Sequence, residues 1–168
     1  MSQLVARKKL IPRLSRFAWL MALYAENHGR LGRLFDIRHL GEGRWISDIG
    51  DGVPLRIDVM GQHPYTTEIS LSYAMVDPVT GESDPSAYVR LYHDARQAEA
   101  THCYVGRRWQ DVIGLNPTPE RLLGHRMRMN TFLGKWLQYL GDRGHGAATL
   151  RFEGAIPAEE REEVVDDA

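Results

Sequence analysis

The stretch from Tyr65 to Met75 alternates without a break. Tyr65, Thr67, Ile69, Leu71, Tyr73 and Met75 fall on one side of an extended chain, and Thr66, Glu68, Ser70, Ser72 and Ala74 on the other. A period of two offers one face for burial and one for water, which is how an antiparallel sheet strand is written. Val53, Leu55, Ile57 and Val59 repeat the pattern, with Pro54 confining that strand to an edge or to its first residues. Trp45–Ile49 supplies a short strand before it, and Gly50-Asp51-Gly52 has the positive-φ residues of a tight hairpin. Ala87–His93 and Ala98–Val105 follow as a fourth and a fifth strand around the turn Asp94–Gln97, and short turns between consecutive strands make a meander. Asp77–Pro85 is a loop by composition, and Gly106–Asn116 is ambiguous.

Helical signals flank the strands. Leu10, Leu14, Phe17, Met21 and Tyr24 repeat at intervals of four and three, predicting a helix over Arg13–Asn27. Asn27-His28-Gly29 reads as a helix stop, after which Leu31, Leu34 and Phe35 open a second short helix toward Leu40, ended by Gly41 and Gly43. Thr118-Pro119-Glu120 has a capping hydroxyl, a proline at the first helical position and an early carboxylate. A long helix is expected from there to Leu140, with Leu122, Met129, Leu133, Trp136, Leu137 and Leu140 on its apolar face, closed by Gly141–Gly144. Thr149–Phe152 offers a further strand. The expected fold is α+β, with two N-terminal helices, a five-strand antiparallel meander and the long helix packed on one sheet face. Residues 1–152 form one domain, and the acidic tail 153–168 is too poor in apolar residues to pack and is expected to be disordered.

Composition narrows the function classes more than it names one. A 168-residue chain buries a single core without staples. Its one cysteine, Cys103, rules out an intrachain disulfide or a Cys-x-x-Cys centre. The net charge of −1 is segmented: residues 1–40 carry +6, 41–104 carry −6, 105–151 carry +5 and 152–168 carry −6. Internal pairing of these blocks is the simpler reading, and a basic face toward an anionic partner is the sharper one. No run reaches the length of a membrane span. The basic residues Arg7–Lys9 before Phe17–Ala25 only superficially resemble an export leader, because the apolar positions form a helical stripe and Leu23 stands where a cleavage site needs a small residue. A cytoplasmic location follows. Phosphate-cradling and dinucleotide loops, the serine-hydrolase elbow and the His-Glu-x-x-His helix are all absent, so neither a cofactor nor a metal is expected.

The densest polar run is Arg90-Leu-Tyr-His-Asp94. On a strand, Arg90 and Tyr92 share one face with Tyr88, while His93 joins Val89 and Leu91 on the other. His93 beside Asp94 is a candidate acid, base or ligand-orienting pair, against the plainer reading of a hydrogen-bonded turn. On the long helix Arg121, His125, Arg128 and Lys135 make a basic stripe, ordinarily a solvated face and alternatively an interface for an acidic protein or RNA. Asn27 and Asn130 lie among apolar positions and either hold a ligand or tie helices to neighbouring backbone.

Three segments carry a resemblance. They are Leu23-Tyr-Ala-Glu-Asn27 with Leu31-Gly-Arg-Leu34, Val89-Arg-Leu-Tyr-His-Asp94 with Ala98-Glu99, and Asn130-Thr-Phe-Leu-Gly-Lys-Trp-Leu-Gln-Tyr139 with Gly144-His145. Together they resemble the YqiB-like family of uncharacterised proteobacterial proteins, which implies a domain of unknown function in a bacterial protein. The positions matching that pattern are Arg90, Tyr92, His93, Asp94, Asn27, Asn130 and Trp136. The absence of a catalytic constellation and the segmented charge favour a non-catalytic module that binds or regulates an acidic protein partner through its basic helix face. The alternative is a binder of a nucleotide-like anion, or an enzyme, using a sheet–helix cavity around His93 and Asp94. RNA binding on the helix stripe is the third.

Overall fold

A computed structural model describes residues 15–75, 78–79, 85–104 and 116–161. Helix α1 spans Arg16–Phe35, a 3-10 turn Ile37–His39 follows, and strands β1 (Gly43–Ser47), β2 (Leu55–Gln62), β3 (Thr66–Tyr73), β4 (Ser86–Tyr92) and β5 (Gln97–Tyr104) come next. Helix α2 spans Pro119–Arg143, and a second 3-10 turn leads into β6, Leu150–Gly154. The six strands form one antiparallel sheet in the order β5-β4-β3-β2-β1-β6.

The meander is the expected one with a sixth strand added. β6 returns along the free side of β1, pairing Ser47 with Leu150 and Trp45 with Phe152. The chain beyond residue 152 is also part of the fold: β6 runs to Gly154, Ile156 is buried, and residues 158–161 make a helical turn. The remainder of the tail, the helix start expected at Arg13, most of the 77–85 loop and nearly all of Gly106–Asn116 lie outside the described residues.

Among the described residues, one helix, Arg16–Phe35, replaces the expected pair. Ser15 caps α1 by accepting from the Ala18 N–H at 3.1 Å, and the helix runs through Asn27-His28-Gly29 to a left-handed cap at Asp36. Its buried stripe is Leu20, Tyr24, Asn27, Leu31 and Phe35, whereas Phe17, expected inside, is 61% exposed. The phase of the stripe is set by Asn27, a polar residue whose burial tertiary hydrogen bonds make tolerable. The start of α2 is as expected: Thr118 accepts from the Arg121 N–H at 3.2 Å with Pro119 in the first turn, and Gly144, at φ 105°, ends the helix.

Both helices lie on one face of the sheet. The core joins Leu31 and Phe35 of α1, Met129, Leu133, Trp136, Leu137 and Leu140 of α2, and the inward residues of β2 to β5, among them Ile57, Ile69, Leu71, Val89 and Leu91. No described helix is long and apolar enough to cross a membrane.

Candidate functional site

The strand register splits the densest polar run across two faces. Arg90 and Tyr92 point away from the helices, where the Arg90 Nε–H donates to Glu68 at 3.1 Å and the Tyr92 hydroxyl donates to Glu99 at 3.2 Å. His93 points inward and is 8% exposed. Asp94 is exposed and makes no bond to the His93 ring, so the expected His93–Asp94 pair does not form. The partners of His93 come from distant segments, one on α1 and one on β3.

These partners form a directional relay. The Gln62 Nε2 amide donates to the carbonyls of Ile37 at 3.1 Å and Leu40 at 2.7 Å, which fixes the amide's orientation because carbonyls only accept. Its Oε1 therefore accepts from the Thr67 hydroxyl. That spends the hydroxyl's single proton, so Thr67 Oγ1, 2.7 Å from His93 Nε2, accepts from that ring nitrogen. His93 Nδ1 is then bare and accepts from His28 Nε2–H at 3.3 Å, the rings meeting edge-on with centroids 5.5 Å apart. The assignment of protons, deduced from the network, leaves His28 Nδ1 as the open end.

The surroundings keep both rings neutral and supply cations. Burial, then Arg96 and Arg38, hold the His28 imidazole below its ordinary value. Burial, then His28 and Arg38, lower His93, against an opposing pull from Asp94 that exceeds the small further lowering by His39. Arg38 and Arg96 are exposed, and no carboxylate pairs with either among the described residues. Each stands on or beside a strained turn. Asp36 and Arg96, both at φ 52°, are the non-glycine residues with positive φ among those described, and such backbone is stored at sites more often than elsewhere. His28 was missed in the sequence because it reads there as part of a helix stop. Its spacing of four from Tyr24 and three before Leu31, on the flank of the buried stripe, is the signal that was available.

The remaining sequence candidates are accounted for by the fold. Asn27, fully buried, donates from Nδ2 to the Asn130 carbonyl at 2.9 Å. Asn130 accepts from the Ala100 N–H at 2.8 Å and donates to the Arg126 and Ala100 carbonyls at 2.9 and 3.4 Å. The pair thus ties α1 to α2 and satisfies the outward backbone of edge strand β5. Trp136 is buried, with its ring N–H 3.2 Å from the Tyr73 hydroxyl. On α2, Arg121, Arg128 and Lys135 are exposed, but His125 is 4% exposed and leaves the expected basic stripe, turning toward β5 within electrostatic reach of His102. No group of three or more metal-binding side chains occurs among the described residues.

The profile of DUF1249, described as a protein of unknown function, matches residues 30–146. The chain belongs to the DUF1249 family. No curated protein and no solved structure matches it. The DUF1249 match takes in Arg38, Gln62, Thr67, His93 and Arg96, while His28 lies two positions ahead of its first residue. The expected resemblance to an uncharacterised domain is thereby met at the level of a DUF1249 domain.

Proposed function

We propose that this domain is a binding module for a small oxyanion-bearing ligand, seated over His28 and His93 between Arg38 and Arg96. The observation that carries it is the relay: four side chains are committed to leaving one imidazole nitrogen, His28 Nδ1, able to take a proton beside two arginines that no carboxylate pairs among the described residues. Arginine offers planar, always-charged donors to phosphate or carboxylate, and a ring that gains a proton near bound negative charge adds a third. The module is non-catalytic and ligand-responsive in this reading, which keeps the nucleotide-like anion of the sequence argument as its ligand class. A bacterial, cytoplasmic protein of the YqiB-like kind belongs to the same reading.

A second reading rests on a separate observation. Arg121, Arg128 and Lys135 are exposed along α2 with no ion pair among the described residues, a surface suited to an acidic protein partner or, less well, to RNA. One experiment separates the two. Inorganic phosphate is titrated at constant ionic strength while ring and backbone resonances are followed by NMR. Saturable shifts at His28 and His93, a raised His28 pKa and about tenfold weaker binding on Arg38→Gln with Arg96→Gln are expected. Shifts confined to Arg121, Arg128 and Lys135 would move the function to the helix row.

A further inference from the structure

The face of the sheet away from the helices carries a second feature, unconnected to the histidine relay. Arg44 of β1 and Asp58 of β2 are cross-strand partners on this face, joined by two bonds of 2.9 and 3.0 Å. Gly154, at φ 127°, ends β6 opposite Arg44, and the chain after it buries Ile156 and brings the Glu160 carboxylate onto the same Arg44 guanidinium. That bond holds Glu160 below the ordinary carboxylate value, and Arg44 is raised first by its bonds to Asp58 and then by Glu160.

Beside this contact two donors are unmet. Arg56 and Ser72 face each other directly across β2 and β3. Arg56 Nε and Ser72 Oγ are buried without a hydrogen-bond partner, and they are the side-chain atoms in that condition among the described residues. Ser72 is 2% exposed, and Arg56 reaches Asp58 only at 3.7 Å, beyond hydrogen-bond distance. Buried donors without a protein acceptor are rare in folded chains, and each is satisfied by a water or by a group from outside the chain. Glu160 on Arg44 is 44% exposed on its side chain, while Arg56 Nε and Ser72 Oγ beside it are covered and lack an acceptor.

We propose that the outer sheet face binds an acidic peptide, with one carboxylate taking the place of Glu160 on Arg44 and a second accepting from Arg56 Nε and Ser72 Oγ. The chemistry follows from the occupant already there: a glutamate on a strand-exit segment of this chain. It follows also from charge, since Arg44 and Arg56 balance Asp58 and Glu160, and removing Glu160 leaves one positive charge for the incoming peptide. Residues 155–161 act as a self-bound strap that a competing acidic segment displaces.

The test uses the full-length chain and a fluorescent peptide of the sequence Ala-Glu-Glu-Arg-Glu-Glu, with a glutamine-substituted peptide as control. Glu160→Gln is expected to tighten peptide binding about tenfold over the parent chain. In that background Arg56→Lys, which keeps the charge against Asp58 and loses the Nε donor, is expected to return binding to the parent level, as is Ser72→Ala. Equal binding by Glu160→Gln with and without Arg56→Lys would overturn the proposal, as would no binding by a Glu160→Gln chain with native circular dichroism. Competition by glutarate as effective as by the peptide would replace the peptide with a small dicarboxylate.

Discussion

Thr67 is the residue on which the histidine relay turns. Its hydroxyl is spent toward Gln62, and this alone dictates which nitrogen of His93 carries the proton. Thr67→Val keeps the shape of the side chain and removes both bonds. It leaves the buried His93 Nε2–H without an acceptor, at a cost of about 1–3 kcal/mol. Urea unfolding is expected to show that loss, and ring nitrogen shifts are expected to show His93 leaving its Nε2–H tautomer. Unchanged ring shifts would break the proton assignment that leaves His28 Nδ1 open. Cys103 illustrates the opposite case, a reactive residue type made inert: burial pushes its thiol up to about 12.

At the scale of elements, the contact between α1 and α2 is closer than either helix face suggests. A Cβ added at Gly134 would lie 2.6 Å from Arg30 Nη1 and 2.9 Å from Asn27 Oδ1. The arginine end can swing away, but Asn27 is fully buried and held by Asn130. Gly32, also helical, has nothing within 4 Å of the same added atom. Alanine is the better helix former by about 0.8–1 kcal/mol, so Gly32→Ala is expected to stabilise by up to that amount in urea unfolding. Gly134→Ala is expected to destabilise in spite of the same propensity gain. A stabilising Gly134→Ala would mean that the helices can separate at no cost.

At the scale of the whole molecule, stability should follow pH in two steps. Burial comes first among the causes that hold His28, His93, His125 and His145 below the ordinary histidine value of 6.5. The unfolded chain therefore takes up protons first on acidification. The stability from these neutral rings is complete above about pH 6.5 and is lost as pH falls through the folded-state values. Glu160 is depressed below 4.5 by Arg44, so its contribution is present above that value and lost below it. Thermal melts are expected to be flat from pH 8 to 7, to fall below about pH 6.5, and to fall again below about pH 4.5. The second fall should shrink in Glu160→Gln. A melting temperature that rises between pH 6.5 and 5.5 would contradict the neutral, buried histidines.

Local patterns alone placed the five strands of the meander to within a few residues, and the capped start of α2. Side-chain alternation and capping chemistry act within a few residues, and the order and burial of Thr67, Ile69 and Leu71 followed directly from them. The continuity of α1 was decided by the tertiary structure. Asn-His-Gly is a helix stop by local rules, but Asn27 finds the Asn130 carbonyl 103 positions away and His28 finds His93 65 positions away. The candidate site was legible only at His93, because every partner that gives that ring a direction lies on another element. The acidic end of the chain was read from composition as unable to pack, and what packs it as far as residue 161 is a buried isoleucine and one arginine presented by a strand. Periodicity reports which face of an element is buried. It carries no record of which polar groups meet once those faces are brought together.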